Sequence, residues 1–262
     1  MEGINEREVT RWLSEHVAGG FKPPIEYTLI AGGHSNLTYR CRDANGKAVV
    51  LRRPPLGHVL ESAHDMGREH RIISALADSR VPVAGTHGLC AGTDVNGAPF
   101  YVMTFVDGVV PHDAASVRAM PDNERLALGE HVADVLAALH AIDPDAVGLG
   151  DLGRKEAYLT RQLKRWTKQW QASKTDEIPA MEESCRLLEE RMPVQVGAAI
   201  VHGDYRLGNM IVGDGRIRAV LDWELCTLGD PLADVGYLLN AWIEPGEVTG
   251  AAVEQAPTAM GG

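Results

Sequence analysis

Hydrophobic positions alternate along the first hundred residues and recur every three to four residues after that. Alternation is typical of strands that bury one face, and two Asn-Gly pairs, at 45–46 and 96–97, favour tight hairpin turns. An apolar stripe formed by Ile72, Ile73 and Leu76 indicates a helix among these strands. The pattern predicts strands at 26–31, 36–42, 47–53, 87–91 and 99–106, and helices that end near residue 17 and span 65–77.

Beyond Asp107-Gly108 the periodicity becomes mainly helical. A β-rich part followed by an α-rich part predicts an α+β chain of two lobes with a cleft between them. The expected boundaries are 1–106 for the N-terminal lobe and 107–262 for the C-terminal lobe. In the second lobe we expect helices at 121–141, 154–171, 179–191 and 231–242, a strand at 199–202, and a hairpin at 209–222.

Composition and charge narrow the class of protein. Hydrophobic residues make up 45% of the chain and charged residues 23%, as in ordinary soluble globular proteins. The net charge of −11 argues against nucleic acid or an anionic membrane as a partner. The four cysteines form no C-x-x-C pair, and no apolar run reaches the roughly 18 residues that a membrane helix needs. We therefore expect free thiols and a cytoplasmic protein.

The most informative segments are V-H-G-D-Y-R-L-G-N at 201–209 and L-D-W-E at 221–224. A hairpin centred on Asp214-Gly215 places Asn209 opposite Val220 and brings Asp222 to the end that carries Asp204. Amide and carboxylate oxygens suit Mg²⁺, which takes few protein ligands plus phosphate oxygens. Asp204 is left to orient an attacking hydroxyl and to accept its proton. The alternative is a loop of hydrogen-bonded polar residues in which Asp222 merely ends a strand.

The H-G-D-x4-N and L-D-W-E motifs resemble the catalytic and metal-binding motifs of the aminoglycoside phosphotransferase family. That family is a small-molecule branch of the protein-kinase-like fold, and the similarity runs from the loop at Gly32 to the predicted helix that ends at Trp242. The resemblance implies a two-lobed kinase-like fold and an ATP-dependent phosphotransferase. It also implies that Asp204 is the catalytic base and that Asn209 and Asp222 bind Mg²⁺.

Two further residues are expected to support the catalytic loop. The segment G-D-P-L-A-D at 229–234 resembles a family segment in which an aspartate braces that loop, and Asp230 is the candidate. A helix N-cap at Asp230 would suit the same sequence. His202 is expected to act through backbone hydrogen bonds. The alternative, a metallohydrolase cluster of His202, Asp204 and Asp222, lacks the additional His and Asp motifs that such sites need.

The first lobe supplies the expected nucleotide-binding residues. Glycines in the loop 31–36 permit close approach to phosphates, although a plain tight turn fits this loop equally well. The strand V-V-L-R at 49–52 has the shape of the kinase V-A-I-K strand, with Arg52 in the place of the lysine and Glu69 as its helix partner. For Glu69 the alternative is an exposed helical carboxylate. Segment 101–108 resembles the linker between kinase lobes, where adenine bonds to the backbone. The candidate ATP-binding residues are Gly32, Gly33, Ser35, Asn36, Val50, Arg52, Glu69, Met103, Thr104 and Val106.

Two features of the sequence argue against a dinucleotide-binding fold and against a protein kinase. The stretch 148–153 matches G-x-G-x-x-G literally, but it follows a helix and not a strand, so a dinucleotide-binding fold is not indicated. Only seven residues separate Asp222 from Asp230, which leaves no room for the activation segment of a protein kinase. We therefore expect a small-molecule acceptor and no activation by phosphorylation.

The acceptor is inferred from a basic segment. Residues 154–170 contain six Lys and Arg residues against one acid, Glu156. A solvated helix face that balances an acidic chain would explain this equally well. The chain also looks similar to phosphotransferase regions fused to acyl-CoA dehydrogenases, which favours an anionic hydroxylated acceptor, such as a hydroxyacyl thioester, over a polycationic aminoglycoside. The candidate acceptor-binding residues are Arg161, Arg165 and Glu224.

The alternative function is a nucleotide-binding, catalytically weak module with a kinase-like fold. Arg52, which replaces the expected lysine, is the residue that supports it. The choice between ATP and GTP, the oligomeric state, the exact acceptor and whether the protein ends at Gly262 stay open on the sequence alone.

Overall fold

The computed structural model describes residues 1–31, 36–57, 65–240, 242–243 and 256–260. The candidate phosphate-loop residues Gly32, Gly33 and Ser35 lie outside the described residues, whereas Asn36 lies within them. Inside these ranges no helix is both long enough and apolar enough to cross a membrane.

An antiparallel sheet of five strands forms the core of the first lobe. Its strand order is β1-β2-β3-β5-β4. In the register of this sheet Arg52 stands between Thr38 and Tyr101, so its side chain starts from the centre of the sheet. The predicted last strand extended to residue 106, but the pairing ends at Thr104. The strands are β1 (Glu26–Ala31), β2 (Leu37–Arg42), β3 (Ala48–Arg53), β4 (Thr86–Cys90) and β5 (Phe100–Thr104).

The two faces of this sheet bury different helices. Helix α1 (Glu6–His16) packs with Val49 and Leu51 in one apolar cluster, and helix α2 (Met66–Leu76) packs with Val50 in the other. Successive residues of a strand point to opposite faces, which explains why neighbours in β3 belong to different clusters. The second cluster continues into the helical lobe, so one face of the sheet joins the two lobes.

The second lobe is mainly helical, which confirms the predicted α+β class. One helix boundary differs from the prediction by more than two residues, because the helix expected at 154–171 begins only at Tyr158. Ala157, just before it, has a φ of 49°, in the left-handed region that interrupts a right-handed helix. Two short elements, α3 and β9, were not predicted. The helices and the strand pair of this lobe are α3 (Ala114–Val117), α4 (Asp122–His140), α5 (Tyr158–Ser173), α6 (Pro179–Glu190), α7 (Leu232–Asn240), β6 (Ala199–Val201) and β9 (Thr227–Gly229).

A small hairpin of β7 (Met210–Gly213) and β8 (Arg216–Val220) follows β6. An irregularity between Ile211 and Val212 shifts its register, so Met210 faces Val220. The predicted pairing of Asn209 with Val220 is therefore wrong by one residue. Instead, the N–H of Leu221 donates to the carbonyl of Asn209 at 2.8 Å. The shift brings Asn209 next to the residue that precedes Asp222.

Candidate active site

His202 begins the loop between β6 and the hairpin, and it is completely buried. Its Nε2 lies 2.9 Å from the carbonyl oxygen of Leu221, to which it donates, and its Nδ1 accepts the N–H of Asp204 at 3.2 Å. Burial lowers the pKa of His202, which keeps the ring neutral and suits these bonds. Since both ring nitrogens are occupied, the geometry speaks against the metallohydrolase interpretation and places His202 where the loop needs support.

The carboxylate that holds this loop belongs to Asp234, in the first turn of α7. Its oxygens accept the backbone N–H groups of His202 and Gly203, each at 2.8 Å, and lie 3.0 Å from Nε2 of His140. The prediction that Asp230 holds this loop is therefore wrong, because Asp234 makes the contacts. Asp230 instead accepts the N–H groups of Val196 at 3.1 Å and Leu232 at 3.0 Å. Asp230 thus fastens the start of α7, since its two carboxylate oxygens are bonded to Val196 and Leu232 and not to the loop.

Asp204 is surrounded by donors. Nδ2 of Asn209 donates to its Oδ2 at 2.7 Å and to its backbone carbonyl at 2.9 Å. Nε of Arg206 donates to its Oδ1 at 3.1 Å. The hydroxyl of Tyr237 also hydrogen-bonds to this carboxylate, which raises the pKa of the tyrosine. The Asp204 side chain is still 19% exposed, so an incoming hydroxyl can reach it.

Asp222 follows β8 in a left-handed conformation with a φ of 62°. This backbone costs a residue other than glycine roughly 1–2 kcal/mol, which is typical of functional turns. Its Oδ1 accepts Nη2 of Arg52 at 2.6 Å. The turn thus aims Asp222 toward the sheet of the first lobe rather than along its own strand.

The predicted pair of Arg52 and Glu69 is present, with Nε and Oε2 at 2.9 Å. Burial disfavours the charge on Arg52, but the neighbouring carboxylates outweigh it and raise the pKa of the guanidinium. Burial also raises the pKa of Glu69, although Arg52 and the hydroxyl of Tyr101, at 2.9 Å, oppose this shift. Asn36 links the pair to the second lobe, because its Nδ2 donates to Glu69 at 2.9 Å and to Glu224 at 3.3 Å. The exposed-helix alternative for Glu69 is therefore wrong.

A cavity of about 320 Å³ separates the sheet from the hairpin. Apolar walls from both lobes enclose it, and polar groups occupy one end, as in many cofactor sites. The N–H of Thr104 donates to the carbonyl of Gly85 at 2.7 Å, so this donor is used within the protein. Of the sequence-predicted residues, the cavity wall contains Val50, Arg52, Met103, Thr104, Val106, Asn209 and Asp222.

A second cavity, of about 310 Å³, borders the loop that follows β6. Gly203 of the loop and Tyr237, which contacts Asp204, form part of its wall together with Arg165 and Trp166. The other two predicted acceptor residues lie elsewhere. Nη2 of Arg161 donates to the carbonyl of Arg154 at 2.6 Å, and Glu224 is bonded to Asn36 beside the first cavity.

The polar end of the first cavity has the donor set that Mg²⁺ prefers. The amide nitrogen of Asn209 is turned to Asp204, so its oxygen is the atom left for a cation, and Asp222 adds a carboxylate. Both residues lie on the wall of one cavity, and hard oxygen donors with room for phosphate oxygens fit this ion. The residues present therefore fit a magnesium site of few protein ligands.

A family model described as the phosphotransferase enzyme family matches residues 26–258 of the chain. The chain belongs to this family. The match confirms the resemblance drawn from the H-G-D-x4-N and L-D-W-E motifs.

Curated relatives of this phosphotransferase are much longer than the chain. Acyl-CoA dehydrogenase family member 10 of Mus musculus is 39% identical over 242 residues, which are 92% of the chain and 22% of that protein. Acyl-CoA dehydrogenase family member 11 of Gallus gallus is 37% identical over 248 residues, which are 92% of the chain and 32% of that protein. The chain thus spans less than a third of the length of either relative.

Solved structures of phosphotransferases share the fold. A crystal structure from Ralstonia eutropha JMP134, provisionally described as an aminoglycoside phosphotransferase, superposes with a TM-score of 0.79 at 37% identity, over 96% of this chain and 75% of that one. The ternary complex of streptomycin, ATP and APH(2")-IIa superposes with a TM-score of 0.63 at 20% identity, over 90% and 76% of the two chains. The predicted two-lobed kinase-like fold is confirmed.

Three residues at the site of this phosphotransferase escaped the sequence reasoning. Arg206 and Tyr237 contact Asp204, and Asp234 holds its loop. Arg206 lies inside the motif that was singled out, and Asp234 ends the G-D-P-L-A-D segment, so both were visible as candidates. No sequence signal pointed to Tyr237, which reaches Asp204 only through the packing of α7.

Proposed function

We propose that the protein transfers the γ-phosphate of ATP, with Mg²⁺, to a hydroxyl group of a small molecule. One observation carries the proposal. Asn209 lies on the wall of the first cavity and donates to Asp204, whose loop forms the wall of the second. A phosphate donor in one cavity and a hydroxyl acceptor in the other would meet at this residue pair.

ATP is proposed to occupy the first cavity. Val50 and Met103 would pack against the adenine, and the carbonyl of Thr104 and the backbone of Val106 would bond to its edge. Arg52 would bind phosphate oxygens, since a guanidinium matches them with a forked pair of donors and Glu69 fixes its direction. Gly32, Gly33, Ser35 and Asn36 complete the proposed ATP-binding set.

Asn209 and Asp222 are proposed to hold Mg²⁺. When bound, the ion neutralises the phosphate charge that grows during transfer. Asp222 also contacts Arg52, so the ion and the guanidinium would both lie at this end of the cavity. Asn209 and Asp222 would then hold the ion at the end of the first cavity that is next to Asp204, because Asn209 also donates to Asp204.

Asp204 is proposed as the base. It would orient the acceptor hydroxyl and take its proton as the hydroxyl oxygen bonds to the γ-phosphorus and the bond to the ADP oxygen breaks. Asn209 and Arg206 donate to its two oxygens and so fix the orientation of the carboxylate. The loop contributes positioning, because such transfers depend on alignment and charge stabilisation.

The acceptor is proposed to be an anionic hydroxylated molecule, such as a hydroxyacyl thioester. Arg165 and three aromatic side chains, those of Tyr158, Trp166 and Tyr237, line the second cavity. The carboxylate of Asp234, which also lines this cavity, is bonded to the N–H groups of His202 and Gly203. A largely apolar wall with the guanidinium of Arg165 then suits an acyl chain with an anionic group better than a polycationic aminoglycoside. The names of the relatives, which belong to acyl-CoA dehydrogenase families, agree with this choice.

The acceptor proposal is tested with steady-state phosphorylation of a hydroxyacyl-CoA panel and of kanamycin. We expect turnover with the thioesters, and Arg165→Glu should raise the acceptor KM about tenfold while the KM for ATP stays the same. Arg161→Glu should have a smaller effect, since Arg161 is absent from the wall of the cavity. Arg186→Glu on α6, where Arg186 contacts Glu183 and Glu190, is the control. Efficient kanamycin phosphorylation that survives Arg165→Glu would contradict this acceptor.

A nucleotide-binding module with weak catalysis is the second candidate. The 2.6 Å contact between Arg52 and Asp222 favours it, because an arginine that binds this carboxylate competes with a cation for it. The two candidates separate in one comparison. An enzyme shows Mg²⁺-dependent stabilisation by ATP together with turnover, whereas the module shows the stabilisation alone.

A further inference from the structure

The glycine-rich stretch 148–153 has no part in the proposed function, yet it lies directly against α2. Nη1 of Arg71 donates to Oδ2 of Asp151 at 3.1 Å, and Nη2 donates to Oδ1 of the same carboxylate and to the carbonyl of Gly148. The arginine therefore binds the stretch through a forked carboxylate contact and a backbone carbonyl. Such geometry fixes direction as well as distance.

Arg68, one turn earlier on α2, binds the same region more deeply. Its Nη2 donates to the carbonyl of Leu152 at 3.0 Å and to the carbonyl of Cys226 at 2.7 Å. These carbonyls belong to two separate segments of the second lobe. A charged donor shared between two partly buried carbonyls contributes more than an exposed ion pair. Arg68 thus ties α2 to the segment that follows Asp222.

Two of the three glycines of this stretch, Gly150 and Gly153, serve close packing, and Gly148 has a φ of +73° with nothing within 4 Å of a Cβ. A Cβ at Gly153 would lie 2.4 Å from Oγ1 of Thr227 and 3.2 Å from the N–H nitrogen of Leu228. A Cβ at Gly150 would lie 1.7 Å from Oδ1 of Asp145. The literal G-x-G-x-x-G pattern is therefore explained by contacts inside the protein and not by a bound dinucleotide.

Glu69 lies between the two arginines in the chain, and its carboxylate holds Arg52. We propose that the 148–153 stretch, together with the Cys226 carbonyl, is a clamp that positions α2 for phosphate binding through Arg68 and Arg71. Helix α2 is fastened to the second lobe by its arginines and to the sheet by Glu69. The pair of Arg52 and Glu69 is then assembled before nucleotide binds and without covalent activation.

The clamp rests on the proposed ATP site, and nucleotide affinity is the quantity that it controls. Arg68→Ala should weaken Mg²⁺-ATP binding by roughly 5–20-fold in a direct titration, in the usual range of coupling between sites. Arg71→Ala should have a smaller effect, of roughly 3–5-fold, because its contact with Asp151 is more exposed. Arg68→Lys, which keeps one charged donor, should recover part of the loss. Arg186→Ala, which removes an exposed arginine from α6, should leave the dissociation constant within about twofold of the original.

A double-mutant cycle separates positioning from a general loss of stability. If Arg68 acts through Glu69, Arg68→Ala should cost little ATP affinity in a Glu69→Gln background. Full additivity of the two losses overturns the clamp, as does unchanged affinity in both alanine variants. Arg71→Ala keeps the test decisive if Arg68→Ala fails to fold. If the unaltered protein does not bind ATP, the proposed nucleotide site itself is wrong. This result differs from failure of the clamp, in which the protein binds ATP and the variants bind it equally well.

Discussion

Gly203 shows how a single residue positions Asp204. Its φ is +86°, and a Cβ there would lie 2.8 Å from the carbonyl oxygen of Leu225. The backbone must pass this close because the N–H of Gly203 donates to the buried carboxylate of Asp234. A side chain at this position would push the loop away from the carboxylate that holds it.

Replacing Gly203 with alanine tests this constraint. We expect a loss of about 1–2 kcal/mol in the free energy of unfolding, because alanine is strained at positive φ and meets the carbonyl of Leu225. Gly236→Ala is the matched control, since nothing lies within 4 Å of a Cβ there and the residue is in α7. Urea unfolding should show the control unchanged or more stable by about 0.5–1 kcal/mol. Equal stability of the two variants would contradict the assigned role of Gly203.

Site residues that lie close together in one sequence motif could be found from the sequence. Asp204, Asn209 and Asp222 are recognised because a loop and a hairpin fix their spacing. Tyr237 could not be found in this way, because its contact with Asp204 depends on where α7 packs. Contacts between residues that are far apart in the chain depend on tertiary packing, which a local sequence pattern does not predict.

At the scale of elements, the order and type of the main helices and strands were predictable, and their ends were not. Alternation and helical periodicity report burial along one element, whereas the irregularity between Ile211 and Val212 and the left-handed Ala157 are single-residue backbone choices. The late start of α5 also divides the basic segment 154–170. Arg154 precedes the helix, whereas Arg161 and Arg165 lie within it.

Two aspartates at the start of α7 should differ in what they control. Asp234→Asn should lower kcat strongly, because an amide cannot accept all the donors from His202, Gly203 and His140, and roughly 2–3 kcal/mol of stability should be lost as well. Asp230→Asn should cost stability with a smaller effect on kcat, since Asp230 bonds outside the loop. Thermal unfolding and initial rates on the same preparations check this. A larger loss of kcat in the Asp230 variant would support the original assignment.

At the scale of the molecule, two cavities meet at one loop. The sequence predicted two lobes and a cleft, and five of its ten candidate ATP-binding residues line the first cavity. The second cavity could not be predicted from the sequence. It is formed by α5, α7 and the loop that contains Asp204, which are far apart in the chain. This is why Arg165 was found on its wall while Glu224, close to Asp222 in sequence, lies beside the first cavity.

The central claim is that Asp204 is the base of a phosphotransferase, and single-turnover phosphate transfer by Asp204→Ala tests it most directly. We predict a rate roughly 10²–10⁴-fold below that of the unaltered protein, as expected when a general base is removed. The dissociation constant for Mg²⁺-ATP should stay within about threefold, since Asp204 does not line the first cavity. Intact nucleotide binding also shows that the variant is folded. A near-normal transfer rate would contradict the account.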